Sequence, residues 1–283
     1  SKSQSIDLST KAGNPQIRLL GYNLPSSSVR PGDTVELTLF WTSIAQMDNN
    51  WSVFIHLQDP NDIIVAQRDT YPGLGLLPTS LMMPDMTIED SYVIPISNTV
   101  SAPTNLRLTV GLYNFQTGER LYQLGEEDRV YIDTLKLEAH PGRHPNPLSV
   151  NFQNNIELIG YDTDTQVITP GQNIHLTLYW LCKTNMRYDY TVFVQVRGDG
   201  NQVWGQHDSW PGAGSSPTTS CEPGDIVEDV HPIDIAPNTP QGVYDLQIGL
   251  YDDTGTRLQR INSDGRWIEN YVSLNKIKVT IEQ

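Results

Sequence analysis

The chain repeats itself, and that limits what it can fold into more than any single motif does. Ile17-Arg18-Leu19-Leu20-Gly21-Tyr22 returns 139 positions later as Ile156-Glu157-Leu158-Ile159-Gly160-Tyr161. The offset then holds without a gap. Pro31-Gly32 maps to Pro170-Gly171, and Leu37-Thr38-Leu39-Phe40-Trp41 to Leu176-Thr177-Leu178-Tyr179-Trp180. Tyr71-Pro72-Gly73 maps to Trp210-Pro211-Gly212, and Pro78-Thr79 to Pro217-Thr218. One residue is lost before Gly111-Leu112-Tyr113 meets Gly249-Leu250-Tyr251 at an offset of 138. A chain of 283 residues is therefore two domains of ordinary size rather than one large one.

Each copy reads as strands. Residues 34–41 alternate Val35, Leu37, Leu39 and Trp41 with Glu36 and Thr38, the period of two expected of a half-buried antiparallel strand. Residues 51–57, 63–68, 92–96, 105–113 and 130–138 carry the same signal, as do 191–196, 202–206, 243–251 and 275–281. Turn residues such as Asp59-Pro60-Asn61-Asp62 and Asp252-Asp253-Thr254-Gly255 separate them. No segment sustains a helical period. The predicted fold is all-β, two tandem antiparallel β-sandwiches of immunoglobulin-like or jelly-roll-like type. Residues 1–11 read as a disordered or linker segment, 12–138 as the first sandwich, 139–150 as a stiff Pro-rich linker and 151–283 as the second sandwich.

The net charge of −15 removes the clustered Lys and Arg that a nucleic-acid partner or an anionic membrane surface requires. No apolar run approaches the length of a membrane span. The only cysteines, Cys182 and Cys221, stand where the first copy has Ser43 and Met82. A pair gained together in one copy predicts a disulfide, and with it an extracellular or cell-surface location.

The order of motifs is similar to a known module. Leu19-Leu20-Gly21-Tyr22, Val29-Arg30-Pro31-Gly32-Asp33, Leu37-Thr38-Leu39-Phe40-Trp41 and Val53-Phe54-Ile55-His56-Leu57-Gln58-Asp59-Pro60 follow one another in the first copy. So do Pro72-Gly73-Leu74-Gly75 and Leu108-Thr109-Val110-Gly111-Leu112-Tyr113. The series resembles an extracytoplasmic β-sandwich module of Chloroflexi and cyanobacteria. That module is found C-terminal to the membrane part of glycosyltransferase-like proteins of the dolichyl-phosphate-mannose mannosyltransferase type. The resemblance covers nearly all of both copies and implies an exported, non-catalytic accessory domain. It carries no catalytic residue over.

The residues themselves leave three functions open. The first is an interaction or scaffold module of a cell-envelope or glycan-handling protein, able also to assemble through edge strands. The second is a carbohydrate-binding module, in which an aromatic ring stacks on a pyranose while neighbouring polar groups bind hydroxyls. Its candidates are Gln67, Asp69 and Tyr71 with Gln206, Asp208 and Trp210, all kept or conservatively exchanged between the copies. The third is a glycan-active hydrolase, for which no motif speaks. The six histidines lack metal-ligand spacing and no nucleophile elbow occurs. The cofactor expectation is none, with calcium as the one metal the acidic turns Asp59/Asn61/Asp62 and Asp252/Asp253 could take up; neither has a full ligand ladder.

Overall fold

A computed structural model describes residues 2–123 and 127–281. The chain divides into two compact units, Ser1–Asn98 with Ala102–Glu138, and Thr99–Ser101 with Ala139–Gln283. In the first, ten strands follow in order: β1 (Lys2–Ser9), β2 (Pro15–Asn23), β3 (Ser28–Val29), β4 (Thr34–Ser43), β5 (Ser52–Gln58), β6 (Ile64–Thr70), β7 (Thr87–Pro95), β8 (Thr104–Tyr113), β9 (Tyr122–Gln123) and β10 (Val130–Leu137). They form two five-stranded sheets, β7-β4-β2-β1-β9 and β3-β10-β8-β5-β6. The second unit contains β11 (Val150–Phe152), β12 (Ile156–Thr163), β13 (Val167–Ile168), β14 (Asn173–Cys182) and β15 (Thr191–Arg197). It continues with β16 (Val203–Ser209), β17 (Ile226–Asp234), β18 (Gly242–Tyr251), β19 (Arg260–Ile261) and β20 (Val272–Val279). Its sheets, β17-β14-β12-β11-β19 and β13-β20-β18-β15-β16, repeat the strand order of the first unit. Pairing is antiparallel except for the short β3/β10 and β13/β20 contacts. No α-helix occurs among the described residues.

The alternation read in the sequence is what closes each sandwich. Val35, Leu37, Leu39 and Trp41 of β4 are all buried, as are Ile174, Leu176, Leu178 and Trp180 of β14. Strand β5 is buried on both faces, because Phe54, His56 and Gln58 on its outer side are covered as fully as Val53, Ile55 and Leu57 on its inner side.

Two boundaries differ from the sequence reading. Residues 1–11 are not a linker: Lys2–Ser9 is a strand paired with β2, and Leu8 is fully buried. Polar residues at every other position hid the one anchor that matters. The proposed linker 139–150 also overextends. Pro145 O accepts from Tyr161 N, Asn146 Nδ2 donates to Tyr161 O, and His144 stacks on Tyr179, so this segment belongs to the second sandwich. The repeated Leu-x-Gly-Tyr motif is the cause. A Cβ at Gly160 would meet His144 Cβ at 2.7 Å and Pro145 O at 2.9 Å, and one at Gly21 would meet the backbone of Lys2 and Ser3. Glycine lets the entering chain cross close over the strand in both copies. The last strand begins at Val272 rather than 275 and ends at Val279, before the expected 281.

Candidate functional site

Three repeated structural devices place the candidate residues. The first is on the outer face of the β5-containing sheet. Asp69 sits within β6, opposite Phe54 on β5, which in turn pairs with Gly111 on β8. Its carboxylate accepts a hydrogen bond from Tyr113 at 3.2 Å, and Asp208 accepts one from Tyr251 at 3.0 Å. Arg120 lies over the Phe54 ring at 4.8 Å and Arg257 over Phe193 at 4.1 Å. A Cβ at Gly249 would approach Phe193 to 2.6 Å, and Gly111 faces Phe54 in the same way, so the kept Gly-Leu-Tyr motif makes room for a ring. Burial, then the neighbouring carboxylate, pushes the hydroxyls of Tyr113 and Tyr251 up from the ordinary tyrosine range. The two Asp therefore orient tyrosines.

The second device holds the Pro-Gly loop. Tyr71–Leu77 and Trp210–Ser216 fold on themselves identically: Gly75 N donates to Tyr71 O at 2.9 Å, and Gly214 N to Trp210 O at 2.8 Å. Three successive residues of positive φ make the turn, Gly73, Leu74 and Gly75 (65°, 59° and 86°) or Gly212, Ala213 and Gly214 (68°, 53° and 85°). A buried carboxylate from the next strand pins the turn. Asp90 Oδ1 accepts from Gly73 N at 3.0 Å, and Asp229 Oδ1 from Ala213 N at 3.1 Å. Around this anchor the copies diverge. In the first, Tyr92 donates to Asp90, whose carboxyl is pushed up by burial. In the second, Asp229 Oδ2 takes Trp180 Nε1 at 3.1 Å and His231 Nε2 at 2.7 Å, and His231 Nδ1 lies 2.8 Å from His207 Nδ1. Burial and then His231 hold the His207 imidazole below the ordinary range.

The third device is the kept Pro-Thr. Thr79 Oγ1 accepts from Trp51 N and donates to Asn49 O; Thr218 Oγ1 accepts from Tyr190 N at 2.9 Å and donates to Tyr188 O at 3.0 Å. Thr218 thereby fixes the segment that carries Tyr188. The kept Pro-Thr pairs stand out in the sequence as part of the repeat, whereas Asp90, Asp229 and Tyr188 are not among its candidate residues. Glu89-Asp90 and Glu228-Asp229 do stand at the 139 offset, so that signal was present.

In the second repeat these devices open a groove of about 700 Å³. Trp210 and Tyr188 lie on its walls, 43% and 54% exposed. Arg187, Asp189, Asp252, Asp253 and Tyr251 complete the polar lining. Of the six predicted sugar contacts, only Trp210 lines this groove. Asp208 stands behind Tyr251, and Gln206 is exposed on β16 four residues from Trp210, about 13 Å along the strand. In the first repeat, Tyr71 is half-buried, Gln67 and Asp69 are exposed, and Asn49 replaces Tyr188. Trp41 on β4, Trp180 on β14 and Trp51, which the structure places just before β5 rather than on a strand, are core residues.

The acidic turns are occupied by their own backbone. Asp59 Oδ1 caps Asn61 N and Ile63 N, Asp62 pairs with Arg107, and Asp252 Oδ1 caps Thr254 N and Thr256 N. Among the described residues no group of three or more His, Cys, Asp or Glu is disposed to hold a metal ion. Cys182 and Cys221 form a disulfide with Cα atoms 6.2 Å apart. Among the described residues no helix is long and apolar enough to cross a membrane.

No family model and no curated protein matches the chain. Among solved structures it is similar to a crystal structure from Corynebacterium diphtheriae of a "Putative membrane anchored protein", at 13% identity and a TM-score of 0.28. That alignment covers 94% of this chain, which spans 59% of the other protein's length.

Proposed function

We propose that this chain is a non-catalytic binding module of the cell exterior, and that the groove of its second repeat holds a carbohydrate. The observation that carries the reading is the pairing of Trp210 with Tyr188. Two exposed rings of different origin, one on the Pro-Gly loop and one on the loop before β15, are fixed into one open groove by separate hydrogen-bonded supports. Exposed aromatic rings are costly to leave in water and present the flat apolar face that a pyranose C–H surface stacks on. Asp189, Asp252, Asp253 and Arg187 supply acceptors and donors for hydroxyls at the same place. An open groove with side chains of both signs suits an uncharged chain of sugars better than a compact small molecule, which asks for an enclosed apolar pocket.

The disulfide supports an oxidising compartment, and the charge of −15 disfavours nucleic acid and anionic lipid as ligands. The module serves, in this reading, as the glycan-contacting part of a cell-envelope or glycan-handling protein. Native gels cast with soluble polysaccharides test it. Wild-type protein is retarded by at least one of mannan, glucomannan, xylan or laminarin, and Trp210→Ala and Tyr188→Ala each weaken retardation about tenfold or more. Retardation that both variants leave unchanged overturns the groove as the site.

A further inference from the structure

In the first repeat, the connection between β6 and β7 turns apolar side chains to water. Leu74, Leu76, Leu81 and Met83 are 66–84% exposed, and Met86 is 36% exposed. A single exposed leucine needs no explanation, but five such residues within 74–86 do. The fold does not require them. The second repeat builds the same connection, with the same Pro-Gly turn and the same threonine support, and carries Ala213, Ser215, Ser220, Glu222 and Asp225 at the equivalent exposed positions.

The segment is also held in place. Gly73 N donates to Asp90 at 3.0 Å, and Thr79 Oγ1 joins Trp51 N to Asn49 O. Gln46 Nε2 donates to Ser80 O at 2.7 Å, and Ser43 N to Met86 O at 2.9 Å. A face presented by a fixed backbone has little ordering left to lose when it docks.

Charge narrows what covers it. Asp85 is the only charged residue between Leu74 and Met86, and the exposed Asp48 on the neighbouring loop is acidic too. A lipid-inserting loop carries Lys or Arg with Trp or Tyr at its rim, and residues 74–86 contain none of these. A face that meets its own copy brings like charges together, so its middle has to be uncharged. These apolar residues meet that condition in a chain whose net charge is −15. The area fits as well. At these exposures the five residues present on the order of 600 Å². Two copies paired through them would bury roughly 1,200 Å², the lower end of what a specific interface uses. Unbranched methionine adapts its shape to such a contact.

We propose that the connection between β6 and β7 of the first repeat docks on the same segment of a second copy, giving a closed two-fold dimer. The dimer goes beyond the saccharide reading and does not rest on it.

Sedimentation equilibrium of the full chain from about 1 µM to about 200 µM tests it. The expected mass rises with concentration and levels at twice the 31.8 kDa of the chain. Installing the second repeat's residues (Leu74→Ala, Leu76→Ser, Leu81→Ser, Met83→Glu and Met86→Asp) raises the dimer dissociation constant about a hundredfold or more. The uncharged pair Leu76→Ser/Met83→Ser raises it about tenfold, which separates lost apolar contact from added repulsion. An unchanged NMR dispersion and unfolding midpoint at low concentration establish that each variant is folded. A wild-type mass of 31.8 kDa throughout, a dimer that survives the fivefold exchange, or a mass that climbs past the dimer without levelling would overturn the proposal. So would a monomer that co-sediments with phosphatidylcholine vesicles through these residues, since the face would then belong to lipid.

Discussion

Asp90 and Asp229 are the most consequential side chains outside the groove, because each holds a strained loop by its backbone. Replacing Asp90 by Ala leaves Gly73 N and the Tyr92 hydroxyl without their acceptor inside the fold. The expected loss is about 2–3 kcal/mol in urea denaturation, larger than for an exposed carboxylate such as Glu36. His56 gives a pH signature. Burial holds its imidazole below the unfolded value of 6.5, so as pH falls the unfolded chain takes up the proton first. The stability tied to a neutral His56 is therefore complete above about pH 6.5 and lost as pH drops through the folded-state value. His56→Gln, which installs the second repeat's Gln195, should reduce the fall in unfolding midpoint between about pH 7.5 and about pH 5. An undiminished fall would show that His56 is not the residue titrating.

Among the elements, the disulfide joins the end of β14 to the loop before β17 across a separation of 39 residues. The first repeat shows what the fold uses in its absence: Ser43 and Met82, both buried. The double change Cys182→Ser and Cys221→Met should fold, with a loss of about 3–4 kcal/mol set by loop-closure entropy, less whatever the methionine regains by packing. Differential scanning of the oxidised, reduced and double-variant proteins measures it. Strands and their inner faces were legible in the sequence because an alternating pattern is a local signal. The covered outer face of β5 was not. Phe54, His56 and Gln58 read as the solvent side until the chain after β8 is folded over them, and that contact is not local. The same holds for β1, whose place depends on a glycine in the following strand. Of the candidate site, the Pro-Gly loops and Trp210 stood out through repetition. Tyr188 did not, because the first repeat has Asn49 there and divergence hides a gained function from a comparison that looks for what is kept.

For the molecule as a whole, duplication supplied two copies of one scaffold with identical strand order, and the differences between them are where ligand binding is expected. The kept residues are spent on holding loops and packing rings: Asp69 and Asp208 on tyrosines, Asp90 and Asp229 on turns, Thr79 and Thr218 on the neighbouring segment. Tyr188, which the first repeat replaces by Asn49, faces the second-repeat groove together with Trp210, the bulkier counterpart of Tyr71. Indole signals in a nitrogen-resolved NMR spectrum test the central claim most directly, since Trp41, Trp51 and Trp180 are buried and the 56%-exposed Trp267 serves as an internal control for exposure alone. On titration with an oligosaccharide of the retarding polysaccharide, the Trp210 indole should shift and saturate while Trp267 stays in place. Saturable binding in which Trp210 does not move, or in which Trp267 moves equally, would contradict the account.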